Sequence, residues 1–230
     1  VIVVVMGDDL GQEIHNYRVF ERPGKFRLAA LHDSKFLVAF QDLNRDFAYQ
    51  PNEPAVWYDL SGSLIKRGDV EDIVLSLNGP SARPLPPALE NLFELRDNSL
   101  GKIDVQLGKV VSLDDERFSR ESASMSMWEP IGFMKAGRAG IFFLDTYDPA
   151  RTPVLFVHGI GGTGGDFRSM IAQLDLQRFQ PWVLNYSSGM DLRALGDGLV
   201  GLLAELRHRY GFSKMHFVAH SMGGLMVREF

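Results

Sequence analysis

From about Trp128 onward, strongly apolar runs alternate with segments of helical periodicity. The run PVLFVHG is continuously apolar, as expected of a strand that is buried on both faces, and PWVLNYS and KMHFVAH are the next predicted strands. A short helix is predicted from about Asp166, and a long one between Asp191, a candidate N-cap, and Gly211, a candidate stop. Strands that alternate with amphipathic helices predict an α/β fold with a mostly parallel sheet and helices on both faces. The core face of the long helix consists of Leu192, Leu195, Leu199, Leu202, Leu203 and Leu206.

The first half of the chain has a different pattern. Short apolar runs such as VIVVV, FRLAAL and FLVAFQD are separated by polar turns, which predicts a small β-rich, sandwich-like domain. The segment PALENLFEL predicts one helix with Pro87 in its first turn. Residues 98–127 are polar and weakly patterned, and we interpret them as a connector. The sequence therefore predicts an accessory β-rich domain with its connector over residues 1–125, followed by an α/β domain over residues 126–230.

Composition excludes several classes of function. The formal net charge is −5 and no run of Lys or Arg exceeds two residues, so neither a nucleic-acid surface nor an anionic-membrane anchor is expected. The chain has no cysteine, which excludes disulfides, thiolate metal sites and a cysteine nucleophile. No apolar run has the length of a membrane span.

The segment AHSMGG follows the last apolar run and precedes the residues LMV. A serine hydroxyl is an effective nucleophile only when a base takes its proton and a sharp turn holds it away from the backbone. Such a strand-to-helix turn requires small residues two positions before and after the serine, and Ala219 and Gly223 meet that requirement around Ser221. The N-terminus of the following helix offers backbone N–H groups to a developing negative charge.

The segment Ala219–Gly224 resembles the nucleophile elbow of α/β-hydrolases of the lipase and esterase type, with alanine at the first position in place of the common glycine. LFVHGIGGTGGDF resembles the loop after an early strand of that family, where His-Gly precedes a residue whose N–H joins the oxyanion hole. By this resemblance Ser221 is the catalytic nucleophile, and the N–H groups of Ile160 and Met222 are the oxyanion donors. The resemblance covers roughly residues 128–230.

This resemblance implies the N-terminal part of an α/β-hydrolase fold and a serine hydrolase that cleaves carboxylic esters through an acyl-enzyme on Ser221. The implied substrates are small-molecule esters, with lipid-like ones favoured, and the chemistry needs no cofactor and no metal. Thioesters, amides and transfer to an alcohol remain open, because one fold hosts many reactions.

Other interpretations of the same residues stay open. A serine in a Gly-rich turn is often structural, and GIGGTGGDF has the composition of a phosphate-cradling loop but lacks the Lys-Ser/Thr ending and the G-x-G-x-x-G frame. We interpret His158 as a residue that orients its loop by hydrogen bonding, and His220 as a neighbour that points away from the nucleophile. Asn185 and Tyr186 end a strand on the same side of the sheet, and either pack there or line the pocket.

The chain lacks a visible base for this chemistry. In the family the order is serine, then an acid, then histidine, but none of the six histidines follows Ser221. Glu229 follows it, but within the elbow helix, where a triad acid does not lie. We expect the acid and histidine beyond residue 230 and expect the 230-residue chain alone to be inactive. The alternative is a non-catalytic binding or scaffold protein with a degenerate hydrolase fold.

The segment DLNRDFAYQPNE has two interpretations. Asp42, Asn44, Asp46 and Glu53 fall at positions 1, 3, 5 and 12, the oxygen-ligand spacing of a calcium loop. Position 6 is Phe47 rather than glycine and the flanks resemble strands, so a polar turn held by Asx hydrogen bonds is the competing interpretation. Similar loops occur in extracellular β-sandwich modules, which favours an exported protein.

Overall fold

The computed structural model divides into two compact units, Val1–Lys102 and Ile103–Phe230. The second unit thus begins earlier than the boundary expected near residue 125. The structure describes residues 1–7, 14–31, 33–60, 70–81, 83–84, 89, 92 and 105–228.

The first unit contains a four-stranded antiparallel sheet with the spatial order β2-β1-β3-β4. The runs IVVVM and FLVAF are buried along their whole length, so β1 and β3 are the central strands. The β-rich character predicted for this half is confirmed, but the described residues form one sheet rather than the two layers of a sandwich. The strands are β1 (Ile2–Met6), β2 (Ile14–Val19), β3 (Phe36–Phe40) and β4 (Ala55–Asp59).

The helix predicted from PALENLFEL lies outside the described residues, apart from two of its leucines. Leu89 and Leu92 are fully buried. Backbone hydrogen bonds connect both leucines to the polar loop between β3 and β4: Tyr49 N donates to Leu89 O at 2.9 Å, and Leu92 N donates to Phe47 O at 3.1 Å. These apolar side chains therefore anchor the loop to the core of the first unit.

The second unit alternates strands and helices, as the sequence predicts. Its elements are β5 (Val105–Val110), a 3₁₀ turn (Glu116–Phe118), α1 (Arg120–Trp128), α2 (Pro130–Lys135), β6 (Ala139–Phe143), β7 (Thr152–Val157), a second 3₁₀ turn (Gly164–Phe167), α3 (Arg168–Ile171), β8 (Phe179–Asn185), α4 (Leu192–Tyr210), β9 (His216–Ala219) and α5 (Met222–Arg228). The helix expected from about Asp166 is the short α3 together with the 3₁₀ turn before it.

The interpretation of residues 98–127 as a connector is wrong from residue 105 onward. These residues form β5, the first 3₁₀ turn and most of α1. β5 is an edge strand with the polar sequence VQLGKV, so it lacks the apolar run that marks a buried strand. The helix α1 begins after the N-cap Ser119, whose side chain accepts a hydrogen bond from Ser122 N. Its sequence RESASMSMW contains three serines and only a weak apolar face, so helical periodicity is hard to recognise there.

The sheet of the second unit has the spatial order β5-β6-β8-β7-β9 and is mostly parallel, because β6 and β8 form its one antiparallel pair among the described strands. Along β7, Leu155 and Val157 belong to one core, and Phe156 belongs to the other. Helices cover both faces, so the α/β class is confirmed. One face packs against Leu199, Leu203 and Leu206 of α4 and Met226 of α5, and the other against Phe118, Phe167 and Ile171.

The long helix α4 has the predicted caps. The side chain of Asp191 accepts a hydrogen bond from Ala194 N at 3.0 Å, and Gly211 ends the helix in the left-handed conformation with φ of 69°. None of the helices formed by the described residues has the length and apolar character that a membrane span needs.

Candidate active site

The carboxyl ends of β7 and β9 lie side by side, with Val157 opposite Ala219 in the parallel ladder. The chain leaves β7 for α3 on one face of the sheet, whereas it leaves β9 for α5 on the other face. Neighbouring parallel strands whose connections diverge in this way form a topological switch point, where open α/β sheets bind ligands in a crevice. The loop after β7 and the turn after β9 lie at this switch point.

The turn after β9 holds Ser221 in a left-handed backbone conformation. Its φ is 52°, which for a side chain with a Cβ costs about 1–2 kcal/mol. Hydrogen bonds fix the turn, because His220 N donates to Val157 O at 3.0 Å and Gly223 N donates to His220 O at 3.0 Å. Ser221 is exposed at the end of β9 and immediately precedes α5.

Small residues beneath the turn are required by packing. A Cβ on Gly223 would collide with the carbonyl oxygen of His158 and would lie 2.6 Å from that of Val157. A Cβ on Gly159 would lie 3.0 Å from Cβ of Ser221. The backbones of the two loops therefore approach each other as closely as glycine permits. This contact is the physical reason why a small residue is required two positions after Ser221.

The loop after β7 presents an N–H group at Ile160. The carbonyl of Gly159 accepts from Nδ1 of His158 at 2.7 Å and from Gly162 N at 3.1 Å. Because the peptide bond is planar and trans, these two bonds direct the N–H of Ile160 to the opposite side. Within the described part of the chain, neither this N–H nor that of Met222 has a hydrogen-bond acceptor.

His158 has the orienting role predicted for it. The ring is buried and stacks on Tyr186 with 4.2 Å between ring centroids. Its Nε2 faces Tyr186 N at 3.4 Å, and the Tyr186 hydroxyl donates to the carbonyl of His158 at 2.8 Å. Burial lowers the pKa of His158 to about 4, so the ring is neutral at pH 7 and carries its proton on Nδ1.

The two strand-end residues Asn185 and Tyr186 have packing contacts. The amide of Asn185 donates to the carbonyls of Arg117 and Arg138 at 3.0 and 2.8 Å. Tyr186 is buried against His158, and burial raises the pKa of its hydroxyl. Of the two roles open for these side chains, these contacts favour packing.

An apolar rim lies beside the loop of Ile160. The side chain of Ile160 is 56% exposed, and that of Trp128 is 73% exposed. The sulfur of Met127 lies 3.8 Å from the position that a Cβ on Gly161 would occupy, which places the end of α1 next to this loop. Sequence analysis missed this arrangement because residues 105–127 were interpreted as a connector.

A base for Ser221 is not found among the residues that the structure describes, since no histidine there forms a hydrogen bond with it. One Ser-His-Asp set occurs in the first unit, where Nδ1 of His15 lies 2.9 Å from Oγ of Ser34 and 3.9 Å from Oδ1 of Asp33. Both partners face the same ring nitrogen, and the side chain of Asp33 is 61% exposed whereas His15 and Ser34 are buried, so the three residues are not a catalytic triad. A Cβ on Gly7 would collide with the His15 ring, which indicates a packing role.

The loop Asp42–Glu53 is built as a hydrogen-bonded turn. Both carboxylate oxygens of Asp42 accept backbone N–H groups, from Arg45 at 2.7 Å and Phe47 at 2.9 Å. Both oxygens of Glu53 accept backbone N–H groups as well, at 2.6 and 3.0 Å. N–H donors thus point at the oxygens that a cation would need, and the Asx-turn interpretation fits better than the calcium one. The described residues contain no cluster of three metal-ligating side chains.

No family model, no curated protein and no solved structure matches this chain. What the site can do therefore follows from its own geometry. It combines an exposed serine on a strained turn with two N–H donors that have no acceptor among the described residues, at the switch point of a mostly parallel sheet.

Proposed function

We propose that the protein is a serine hydrolase of the α/β-hydrolase, lipase or esterase type, and that it cleaves carboxylic esters. The observation that carries this proposal is the turn at Ser221, where a non-glycine residue is held at φ of 52° beside the N–H group of Met222, which has no acceptor in the described part of the chain. Strain of this kind persists where the surrounding structure enforces it, and it concentrates at functional sites.

In the proposed reaction, Oγ of Ser221 attacks the ester carbonyl carbon while a base takes the hydroxyl proton. The N–H groups of Ile160 and Met222 donate to the oxyanion of the tetrahedral intermediate. When the intermediate collapses, the base returns the proton to the leaving alcohol, and an acyl ester remains on Ser221. Water, activated by the same base, then releases the carboxylic acid. The base and its acid must come from a part of the protein outside the described residues.

The apolar rim favours substrates with apolar chains. Met127, near the end of α1, lies beside the loop of Ile160, and both Ile160 and Trp128, the last residue of α1, are largely exposed. An apolar acyl or alcohol chain placed against them would remove apolar surface from water, at about 25 cal/mol per Å². This supports small-molecule esters of lipid-like character as the substrate class.

A second candidate function is non-catalytic binding through the same crevice. The observation that favours it is that no histidine of the described residues reaches Ser221. The coding sequence beyond the codon for Phe230 separates the two candidates first: an Asp or Glu and then a His, each after a strand-like run, supports the hydrolase. A stop codon directly after Phe230 supports the binding protein.

The activity test uses protein made from the complete coding sequence and a short-chain p-nitrophenyl ester. We expect turnover in the wild type and in Ser213→Ala, an exposed serine outside the site. Ser221→Ala is expected to lower kcat by at least about 10⁴-fold. Equal turnover in Ser221→Ala and Ser213→Ala would contradict the proposal, and so would a folded, complete protein without esterase activity.

A further inference from the structure

Two serine side chains connect the backbone N–H of Gly161, in the loop of Ile160, to a backbone carbonyl of α1 by a continuous row of hydrogen bonds. Gly161 N donates to Oγ of Ser188 at 3.0 Å. Oγ of Ser188 lies 3.1 Å from Oγ of Ser126, and the Ser126 hydroxyl donates to the carbonyl of Ala123 at 2.8 Å. Sequence analysis did not single out any of these serines.

Proton counting fixes the direction of every bond in the row. Each serine hydroxyl has one proton. Ser126 gives its proton to the Ala123 carbonyl, which can only accept. The proton between the two hydroxyls must then come from Ser188, so the order is N–H of Gly161, hydroxyl of Ser188, hydroxyl of Ser126, carbonyl of Ala123. Hydrogen bonds that run in one direction polarise and strengthen one another.

The row is enclosed by the protein. Ser126 is 1% exposed and Ser188 is 2% exposed, so both bonds form in a low-dielectric environment. Gly189 N donates to the carbonyl of Ser126 at 3.1 Å, and a Cβ on Gly189 would collide with the carbonyl of Met127. The segment after β8 is therefore held directly against the end of α1.

We propose that Ser188 and Ser126 are positioning residues that hold the Ile160–Gly161 peptide in register with Ser221. This inference rests on the proposed hydrolase function. The peptide before Ile160 is fixed through the Gly159 carbonyl by His158, and the peptide after it is fixed through the Gly161 N–H by Ser188. Because the peptide planes on both sides of Ile160 are fixed, the direction of the Ile160 N–H is fixed as well. The two serines connect this part of the loop to α1.

The test compares three serine-to-alanine variants of the complete protein. In Ser188→Ala the Gly161 N–H loses its acceptor, and we expect kcat for the p-nitrophenyl ester to fall by about 10²-fold while KM stays unchanged, because misplacement of a transition-state donor affects chemistry rather than binding. Ser126→Ala should change kcat in the same direction by less. Ser122→Ala is the matched control, since Ser122 is fully buried on the same helix but its hydroxyl has no partner among the described residues.

A second readout is independent of activity. Amide hydrogen exchange at Gly161, followed by NMR, should accelerate in Ser188→Ala and remain unchanged in Ser122→Ala. A wild type without Ser221-dependent activity would overturn the proposed function and the catalytic part of this inference together. An active wild type in which Ser188→Ala and Ser122→Ala share the same kcat, or the same Gly161 exchange rate, would overturn the positioning role alone.

Discussion

Among the turns that hold non-glycine residues in the left-handed conformation, the loop Asp42–Glu53 and the turn of Ser221 use their backbone N–H groups in opposite ways. In the loop Asp42–Glu53, Arg45 has φ of 64° and Phe47 has φ of 62°. Both residues donate their N–H groups to the carboxylate of Asp42. The backbone strain of this loop is thus offset by charge-assisted hydrogen bonds, and the donors are fully used.

At the turn of Ser221 the strain is similar but the donors are left open. The N–H groups of Met222 and Ile160 have no acceptor in the part of the chain that the structure describes. Left-handed geometry alone therefore does not mark a site, because the Asp42 loop has it too. What distinguishes the turn of Ser221 is that these N–H donors lie at the carboxyl ends of adjacent parallel strands, where a bound ligand can accept hydrogen bonds from them.

The largest stability effect is expected at Gly223. Gly223→Ala would drive a Cβ into the carbonyls of His158 and Val157, which are backbone atoms that cannot rotate away. We expect a loss of about 3 kcal/mol in the free energy of unfolding, measured with urea. Gly224→Ala is the matched control, since nothing lies within 4 Å of its Cβ position. Equal effects at the two positions would contradict the close approach of the two loops.

A pH effect of similar size is expected from His158. Burial lowers its pKa from the ordinary 6.5 to about 4, so between these values the unfolded chain takes up a proton that the folded protein refuses. The contribution of the neutral His158 ring to the free energy of unfolding is fully present above pH 6.5. It decreases by about 3 kcal/mol as the pH falls toward 4. Comparing unfolding of the wild type and His158→Gln across this window should reveal the difference, and parallel curves would show that the ring is not buried in its neutral form.

How much of this could be predicted depends on whether the responsible contacts are local. The caps of α4 at Asp191 and Gly211 are local signals, so sequence alone identifies them. The buried strands β7 and β8 can also be predicted from the sequence, because both of their faces are covered and each has an apolar centre, PVLFV in β7 and PWVL in β8. β5 was missed because an edge strand keeps one half-solvated face and a mixed composition.

The candidate site likewise contains residues that local sequence patterns predict and residues that only tertiary contacts bring together. Ser221 and Gly223 are predicted from spacing, because the turn geometry restricts residue size at fixed positions. The contact between Ser126 and Ser188 joins residues that are 62 positions apart, and no local pattern predicts which buried serines meet. The neutral state of His158 likewise depends on burial beneath Tyr186, which follows from tertiary packing alone.

A moderate effect is expected in the loop of the first unit. Asp42→Asn replaces an acceptor oxygen with an amide nitrogen that faces an N–H donor, and we expect a loss of about 2 kcal/mol. Asn44→Ala, an exposed change in the same loop, should have little effect. Thermal unfolding should occur at the same temperature in calcium and in EDTA. A higher midpoint in calcium would favour the cation interpretation of this loop.

The smallest effect sharpens the comparison between the two turns. Arg45→Gly and Ser221→Gly each remove the backbone strain of a residue in the left-handed conformation. Glycine also increases the conformational entropy of the unfolded chain, which offsets part of this gain. Each variant should therefore raise the free energy of unfolding by up to about 1 kcal/mol. Their effects on activity should differ, because Arg45→Gly keeps the ester turnover and Ser221→Gly eliminates it. Similar activity in both variants would mean that the two turns are equivalent.

The most direct test of the account is covalent labelling of the complete protein with a fluorophosphonate, followed by peptide mass spectrometry. The phosphonyl group should be found on the peptide that contains Ser221, and the label should be absent from Ser221→Ala. That result would show that the strained turn after β9 carries an activated nucleophile. A folded, complete protein that takes up no label, or takes it up on another residue, would contradict the central claim.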